Sequence, residues 1–320
     1  MTYPTLTIDL GAIVANWHSL AARHPGETAG VVKANAYGLG IEMVAPALAA
    51  AGCKHFFVAT MEEAVRLRGL LPGHWIAVLN GSPPGSEHDM ITHRLIPALN
   101  SLEACERWRD AIRNHATPPP ALLHVDTGMS RLGLDADEYV AVMADPSRID
   151  GLGLTHIMTH LVAAEAPEAS ENVQQKTRFA AIAAAFPRLR TSLANSSGLF
   201  LGPDFVSGLA RPGYALYGGN PTPHTLNPMR PAIHLAAPVL QVRTIAPGES
   251  VGYNGTWRAE RPSRIATIGV GYADGIPRSL SGRMTARFGG AVIRMAGRIS
   301  MDLMTFDVTE HPAIVPGAML

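Results

Sequence analysis

Short apolar runs alternate with segments of three-to-four residue periodicity through most of the chain. The apolar runs predict eight strands, at residues 30–34, 55–60, 75–80, 95–99, 121–126, 152–160, 192–195 and 210–217. The periodic segments predict amphipathic helices at residues 13–22, 42–51, 62–70, 102–114, 136–143 and 171–185. Strands that alternate with helices at this spacing are typical of a parallel sheet. Eight repeats favour an α/β fold with a closed (β/α)8 TIM-like barrel, and a doubly wound open sheet is the alternative.

The pattern changes after residue 220. Residues 221–228 contain three prolines and form a turn-rich connector, and short runs at 238–245, 264–269, 291–295 and 304–308 follow between glycines and prolines. We therefore predict a barrel domain of residues 1–220 and a smaller, mostly β C-terminal domain of residues 229–320. The first few residues are able to pair with the β domain.

Composition narrows the class of function. The 320 residues include 26 basic and 26 acidic side chains, so no basic surface indicates nucleic acid or an anionic membrane as a partner. Cys53 and Cys105 are the only cysteines, which suits a reducing cytoplasm. The N-terminus lacks the pattern of a secretory leader, and no apolar run approaches the ~20 residues of a membrane span. We expect a cytoplasmic protein that acts on a small molecule.

Polar residues at the predicted strand ends are candidates for chemistry, because barrel active sites lie at the C-terminal ends of the strands. They are Lys33, Tyr37, Asp126, Arg131, His160, Asn195, Ser196, Arg211 and Gly213. Barrels often bind phosphate between the loops that follow strands seven and eight, where Ser196 and Arg211 fall. A lysine together with a phosphate cradle suggests pyridoxal 5′-phosphate held as a Schiff base.

Each of these positions also has a purely structural interpretation. Ser196 and its neighbours could cap a short helix, and Arg211 could be a surface arginine beside a turn. Asp126 could be no more than part of a turn that ends a strand, because Asp and Gly dominate turns. His156 and His160 have a spacing that could hold a metal, but no carboxylate stands at ligand spacing, so we expect no metal.

Six stretches in order along the chain resemble the alanine racemase family, the fold-type III pyridoxal-phosphate enzymes. They are residues 31–38, 126–133, 211–218, 252–256, 271–275 and 297–302. The resemblance implies a barrel followed by a β domain and a homodimer with active sites shared between subunits. It also implies racemisation of L-alanine and D-alanine, which supplies D-alanine for bacterial cell-wall peptidoglycan.

The resemblance implies four catalytic residues. Lys33 would bind the cofactor covalently and then act as the base on one face, and Tyr253 of the partner subunit would be the base on the other face. Two bases are needed because a planar carbanion reprotonated from the face that lost the proton returns the same enantiomer. His160 would assist Tyr253, and Arg211 would donate to the pyridine nitrogen, which must then stay unprotonated.

The resemblance also implies the remaining contacts to cofactor and substrate. Arg131 would hold the phenolic oxygen of the cofactor and the substrate carboxylate, a task suited to a planar fork of donors. The other cofactor contacts would come from Tyr37, His160, Ser196, Gly213 and Tyr214. Met301 and Tyr272 of the partner subunit would line a small substrate pocket.

Three features depart from the family pattern. His124 stands where the family usually has a carbamylated lysine that orients the arginine, and Leu39 replaces a histidine. The family normally continues beyond Leu320 in strands that supply a tyrosine to the phosphate. Two alternatives therefore remain beside alanine racemisation. One is a broader serine and alanine racemase, and the other is a cofactor-binding protein of weak or lost activity, against which Tyr253 argues.

Overall fold

The computed structural model describes residues 3–320, which divide into two compact units. One unit is Ile8–Ala232, and the other is Ile233–Leu320 together with the described residues up to Thr7. The strands are β1 (Thr5–Ile8), β2 (Glu27–Thr28), β3 (Gly30–Val31), β4 (His55–Val58), β5 (Trp75–Val78), β6 (Ile96–Leu99), β7 (Ala121–His124), β8 (Leu154–Met158), β9 (Arg190–Ser192), β10 (Leu209–Ala210), β11 (Ile233–Ala236), β12 (Val239–Ile245), β13 (Ser250–Val251), β14 (Trp257–Arg258), β15 (Ser263–Ile268), β16 (Thr285–Phe288), β17 (Ala291–Arg294) and β18 (Met304–Asp307). The helices are α1 (Leu10–Ala21), α2 (Lys33–Tyr37), α3 (Ile41–Ala50), α4 (Met61–Leu70), α5 (Glu87–Thr92), α6 (Leu102–Ile112), α7 (Ala136–Ala144) and α8 (Ser170–Ala184).

The first unit is a parallel barrel. Strands β3 to β9 form one parallel sheet in chain order, and β10 pairs in parallel with β2. The Arg211 N–H donates to the Ala194 carbonyl at 2.9 Å, which joins the segments that follow β10 and β9. These contacts close the sheet, so the predicted α/β barrel is confirmed and the open sheet is wrong.

Helix starts in the barrel follow from local side chains. Thr60 and Glu63 form a reciprocal capping box at the start of α4, and Asp135 and Glu138 form another at α7. Helix α6 packs into the barrel core through Trp108, which is fully buried and donates its indole N–H to the Leu152 carbonyl at 3.1 Å.

Two local predictions for the barrel need correction, and one helix was not predicted. Residues 210–217 do not form one strand, because β10 ends before Pro212, which has no N–H for a ladder, and a 3₁₀ turn follows at Tyr214–Tyr217. The strand predicted at residues 30–34 ends at Val31. Helix α5 was not predicted, because its six residues are too few to show a clear period in the sequence.

The second unit is mostly β, as predicted. Strands β12, β15 and β18 form an antiparallel sheet whose inner side chains include Ile268, Met304 and Phe306. Strands β16 and β17 form a hairpin, and β1 pairs with β11. Among the helices of residues 3–320, none has the length and apolar character needed to cross a membrane.

Candidate active site

One cleft collects most of the residues predicted for the site. It has a volume of about 170 Å³ and lies at the C-terminal ends of the barrel strands. The predicted residues that line it are Lys33, Tyr37, His160, Asn195, Ser196, Arg211, Gly213 and Tyr214. Glu165 also lines the cleft and was not predicted.

The segment after Lys33 has an unusual backbone. Residues 34–37 all have φ between 52° and 55°, so α2 is one turn of left-handed helix. L-residues adopt this region at a cost, and such strain concentrates at functional sites. Glu63 accepts the Ala34 N–H at 2.5 Å, and Asn35 Oδ1 accepts the Ile41 N–H at 3.0 Å. Lys33 itself is half-buried and has no hydrogen bond or ion pair within residues 3–320.

Tyr37 lies in a tight contact at Gly213. The Tyr37 ring stacks on Tyr217 with centroids 4.6 Å apart, and Tyr217 donates to the Val31 carbonyl at 2.9 Å. A Cβ at Gly213 would lie 2.3 Å from Tyr37 Oη, so any larger residue there would force the Tyr37 ring to move. Burial raises the pKa of Tyr37, which keeps its hydroxyl protonated and able to donate.

Ser196 joins the loops that follow β9 and β10. Its Oγ accepts the N–H groups of Gly213 at 3.0 Å and Ala215 at 3.2 Å, which leaves its own hydroxyl proton available. Asn195 Oδ1 accepts the Gly198 N–H at 2.9 Å, so the capping interpretation of this stretch holds for Asn195. Hydroxyl and backbone donors around a position without a side chain can hold an anion.

Arg211 is a buried cation. It is 5% exposed and donates to Ser192 Oγ and to the Thr159 carbonyl, so it is not the surface arginine of the structural interpretation. Burial lowers the pKa of Arg211 to about 10, and the group remains charged at neutral pH. Within the described chain no carboxylate lies at ion-pair distance from it.

His160 is neutral in this cleft. Burial lowers its pKa to about 3, and the nearby groups that act in the same direction are, in order, Arg211, Arg131, His124 and Lys33. A neutral imidazole has one donor and one acceptor nitrogen. The neutral His160 ring can therefore accept a hydrogen bond from a neighbouring hydroxyl.

His124 does not replace the negative charge that its position implies. Its Nδ1 lies 2.6 Å from Asn100 Oδ1, and burial, followed by Arg211, lowers its pKa to about 4. Asp126 accepts three backbone N–H groups of residues 128–130 and so shapes the turn. Arg131 is exposed, and in the described part of the chain it has no hydrogen bond or ion pair, so its guanidinium is available to an anion.

Three further predicted residues lie together in the second unit. Tyr253 and Met301 line an open depression of about 560 Å³ and are 63% and 53% exposed. The Tyr272 N–H donates to the Ser300 carbonyl at 3.0 Å, which brings its loop to the same place. A Cβ at Gly271 would lie 2.2 Å from the Met301 carbonyl oxygen, so this approach requires glycine.

The sequence missed the polar residues behind the cleft. Thr159 and Ser192 accept from Arg211, and their positions at strand ends could have indicated them. Gln175 lies on α8 and donates to the His160 carbonyl at 2.9 Å. Nothing in the helical pattern distinguishes Gln175 from its neighbours.

Comparison with known proteins gives a consistent result over the full chain. Residues 8–221 match the family described as alanine racemase, N-terminal domain, and residues 232–320 match alanine racemase, C-terminal domain. An alanine racemase of Acidiphilium cryptum (strain JF-5) is 68% identical over 320 residues, which cover 100% of this chain and 89% of that protein. An alanine racemase of Rhodospirillum rubrum is 50% identical over 98% of this chain and 86% of that protein. The crystal structure of alanine racemase from Bartonella henselae with covalently bound pyridoxal phosphate has a TM-score of 0.92 and 41% identity, covering 100% of this chain and 90% of that chain.

Proposed function

Because the chain belongs to the alanine racemase family, we propose that it is a pyridoxal 5′-phosphate-dependent isomerase that interconverts L-alanine and D-alanine. The observation that carries the proposal is one cleft that holds a lysine without an ion pair in the described chain, a buried arginine, and an anion cradle. We further propose that it acts in the cytoplasm and supplies D-alanine for cell-wall peptidoglycan. The two cysteines, both free buried thiols, are compatible with that compartment.

The residues of the cleft fit this cofactor. The hydroxyls of Tyr37 and Ser196 and the backbone at Tyr214 would hold its phosphate beside Gly213, where an added side chain would displace the Tyr37 hydroxyl. Lys33 would hold it covalently, and Arg211 would face its ring nitrogen. When bound, the cofactor supplies a covalent link to the substrate amine and withdraws electrons from the α-carbon. Arg211 can only donate, so the nitrogen that it faces stays unprotonated.

Inversion at the α-carbon requires proton removal on one face and proton delivery on the other. We assign one face to the Lys33 amine and the other to the hydroxyl of Tyr253, supplied by a second copy of the chain in a homodimer. The 63% exposure of Tyr253 supports this assignment, because the side chain is available to another subunit. His160, which is neutral, would assist Tyr253 by accepting a hydrogen bond from its hydroxyl.

Substrate recognition follows from charge and size. The guanidinium of Arg131, which has no ion pair among residues 3–320, would bind the carboxylate of alanine and the phenolic oxygen of the cofactor. Met301 and Tyr272, also from the second copy, would limit the pocket to a small side chain. One methylene discriminates by only ~1–3 kcal/mol, so slow turnover of serine is expected.

The direct test is incubation with L-alanine in D2O at saturating pyridoxal phosphate. D-alanine that carries deuterium at the α-carbon is the expected product, and chiral chromatography with mass spectrometry measures it. L-serine run in parallel measures the breadth of the pocket. An absence of both exchange and D-alanine at saturating cofactor would refute the proposal.

Tyr253→Phe tests the second base. We expect cofactor absorbance to be retained and conversion to fall on the order of 10²- to 10⁴-fold, the usual contribution of a general base. Lys33→Ala is the matched variant for the other face and should lose the covalent cofactor. Conversion at the wild-type rate in Tyr253→Phe would remove Tyr253 from the mechanism.

A mixture of the two inactive variants tests the shared site. A mixed dimer of Lys33→Ala and Tyr253→Phe subunits has one site with both defects and one site with neither. With random pairing we expect about a quarter of the wild-type activity, because half of the dimers are mixed and half of their sites are intact. Activity no higher than that of the parents, in mixtures shown by mass spectrometry to contain mixed dimers, would mean that each subunit uses its own Tyr253.

A further inference from the structure

A buried amide behind the cleft holds the segment that carries His160. Gln175 lies on α8 and is 1% exposed. Its Nε2 donates to the His160 carbonyl at 2.9 Å, and its Oε1 accepts the Val162 N–H at 2.8 Å. One side chain therefore fixes the main chain on both sides of Leu161.

The same amide reaches the loop that follows β7. Gln175 Nε2 donates to Thr127 Oγ1 at 3.3 Å, and Thr127 Oγ1 lies 2.8 Å from Thr159 Oγ1. The Thr159 carbonyl in turn accepts from Arg211. A continuous buried network thus connects the helix to the backbone next to His160 and to the guanidinium at the base of the cleft.

Gln175 links three segments of the barrel by hydrogen bonds as well as filling space in the core. A buried network whose polar groups are paired rigidifies the segments that it joins. The residues after Leu161 include the exposed Val162 and Glu165, so α8 supplies the anchor for this part of the loop. Without the Gln175 amide, its buried hydrogen-bond partners would have to bind water or shift to other partners.

We propose that Gln175 is a positioning residue for the isomerase. It holds the backbone of residues 160–162, so that the His160 ring stays in the cleft near Arg211. The proposal rests on the proposed function of the cleft. A displacement of about 1 Å at a reacting group can reduce turnover on the order of 10²-fold. Gln175 touches neither substrate nor cofactor, so it acts only through His160 and the adjoining backbone.

The test compares Gln175→Leu with Asn172→Leu in the holoenzyme. Asn172 is also 1% exposed on α8, and its amide donates to the carbonyls of Ala163 at 3.3 Å and Ala166 at 2.9 Å. Both substitutions therefore remove one buried amide that anchors the same loop. Only Gln175 contacts the main chain at His160.

We expect Gln175→Leu to lower kcat for alanine by about 10- to 100-fold with little change in KM. A His160 ring displaced toward water regains a pKa nearer its ordinary 6.5, so the acid limb of the kcat profile should move toward pH 6. Asn172→Leu should leave that limb where it is in the wild type. An unmoved limb in Gln175→Leu, or the same movement in both variants, would overturn the proposal.

Hydrogen–deuterium exchange gives a readout that does not depend on turnover. The peptide that contains residues 160–163 should exchange faster in Gln175→Leu than in the wild type or in Asn172→Leu. Gln175→Glu keeps an acceptor for the Val162 N–H and should restore part of the protection at that amide. Unchanged exchange in Gln175→Leu refutes the positioning role, whereas an inactive wild type with faster exchange in this variant refutes only the proposed reaction.

Discussion

Gly213→Ala tests the anion cradle most directly. The added Cβ would lie 2.3 Å from Tyr37 Oη, 3.1 Å from its Cζ and 3.3 Å from Val31 Cβ. Carbon contacts are favourable only near ~3.5–4.0 Å, so Tyr37 must move by about 1 Å. Tyr217 stacks on the ring at 4.6 Å, and Tyr37 is 37% exposed, so the open direction is outward. The barrel should remain folded while the hydroxyl leaves the cradle.

The magnitude follows from the lost contact. A hydrogen bond to a charged group contributes about 1.5–3 kcal/mol, so cofactor binding in Gly213→Ala should weaken by about 10- to 150-fold. Titration of cofactor-free protein with pyridoxal 5′-phosphate, followed by absorbance, measures this. Gly69→Ala is the matched control, because Gly69 lies in α4 with nothing within 4 Å of the added Cβ. Equal affinity in Gly213→Ala and the wild type would refute the cradle at this position.

Two further predictions concern stability. Burial holds the pKa values of three histidines near 3 or 4, so these side chains are neutral in the fold and charge more readily when it unfolds; they are His124, His156 and His160. The free energy of unfolding should therefore be highest above pH ~6.5 and fall toward pH 4, with a loss of up to about 2 kcal/mol per histidine at pH 5. Midpoints of urea unfolding that do not change between pH 7.5 and pH 5 would contradict this prediction. Glu63→Gln should destabilise the protein by about 1–3 kcal/mol, because Glu63 accepts the Ala34 N–H and caps α4. Thermal melts measure this loss against Glu62→Gln, a control in which the replaced carboxylate is exposed. Equal melting temperatures for the two variants would exclude a stabilising role of Glu63.

Local patterns determined much of this protein. Strand and helix periods follow from backbone geometry, so the alternation in the sequence was enough to predict the barrel and the mostly β second unit. Because barrel active sites lie at the C-terminal ends of the strands, the sequence also predicted that Lys33, His160, Ser196 and Arg211 share one site. The resemblance of six ordered stretches added the family and the residues of the second unit.

The tertiary structure decided which groups meet and in what state. The left-handed turn after Lys33 depends on Glu63, 29 residues from Ala34, and Gln175 reaches Thr127 across 48 residues. His160 is neutral only because the fold buries it among cations. Periodicity describes neighbours in the sequence, whereas hydrogen-bond partners and desolvation depend on segments that are distant along the chain, so these features appear only when the barrel closes.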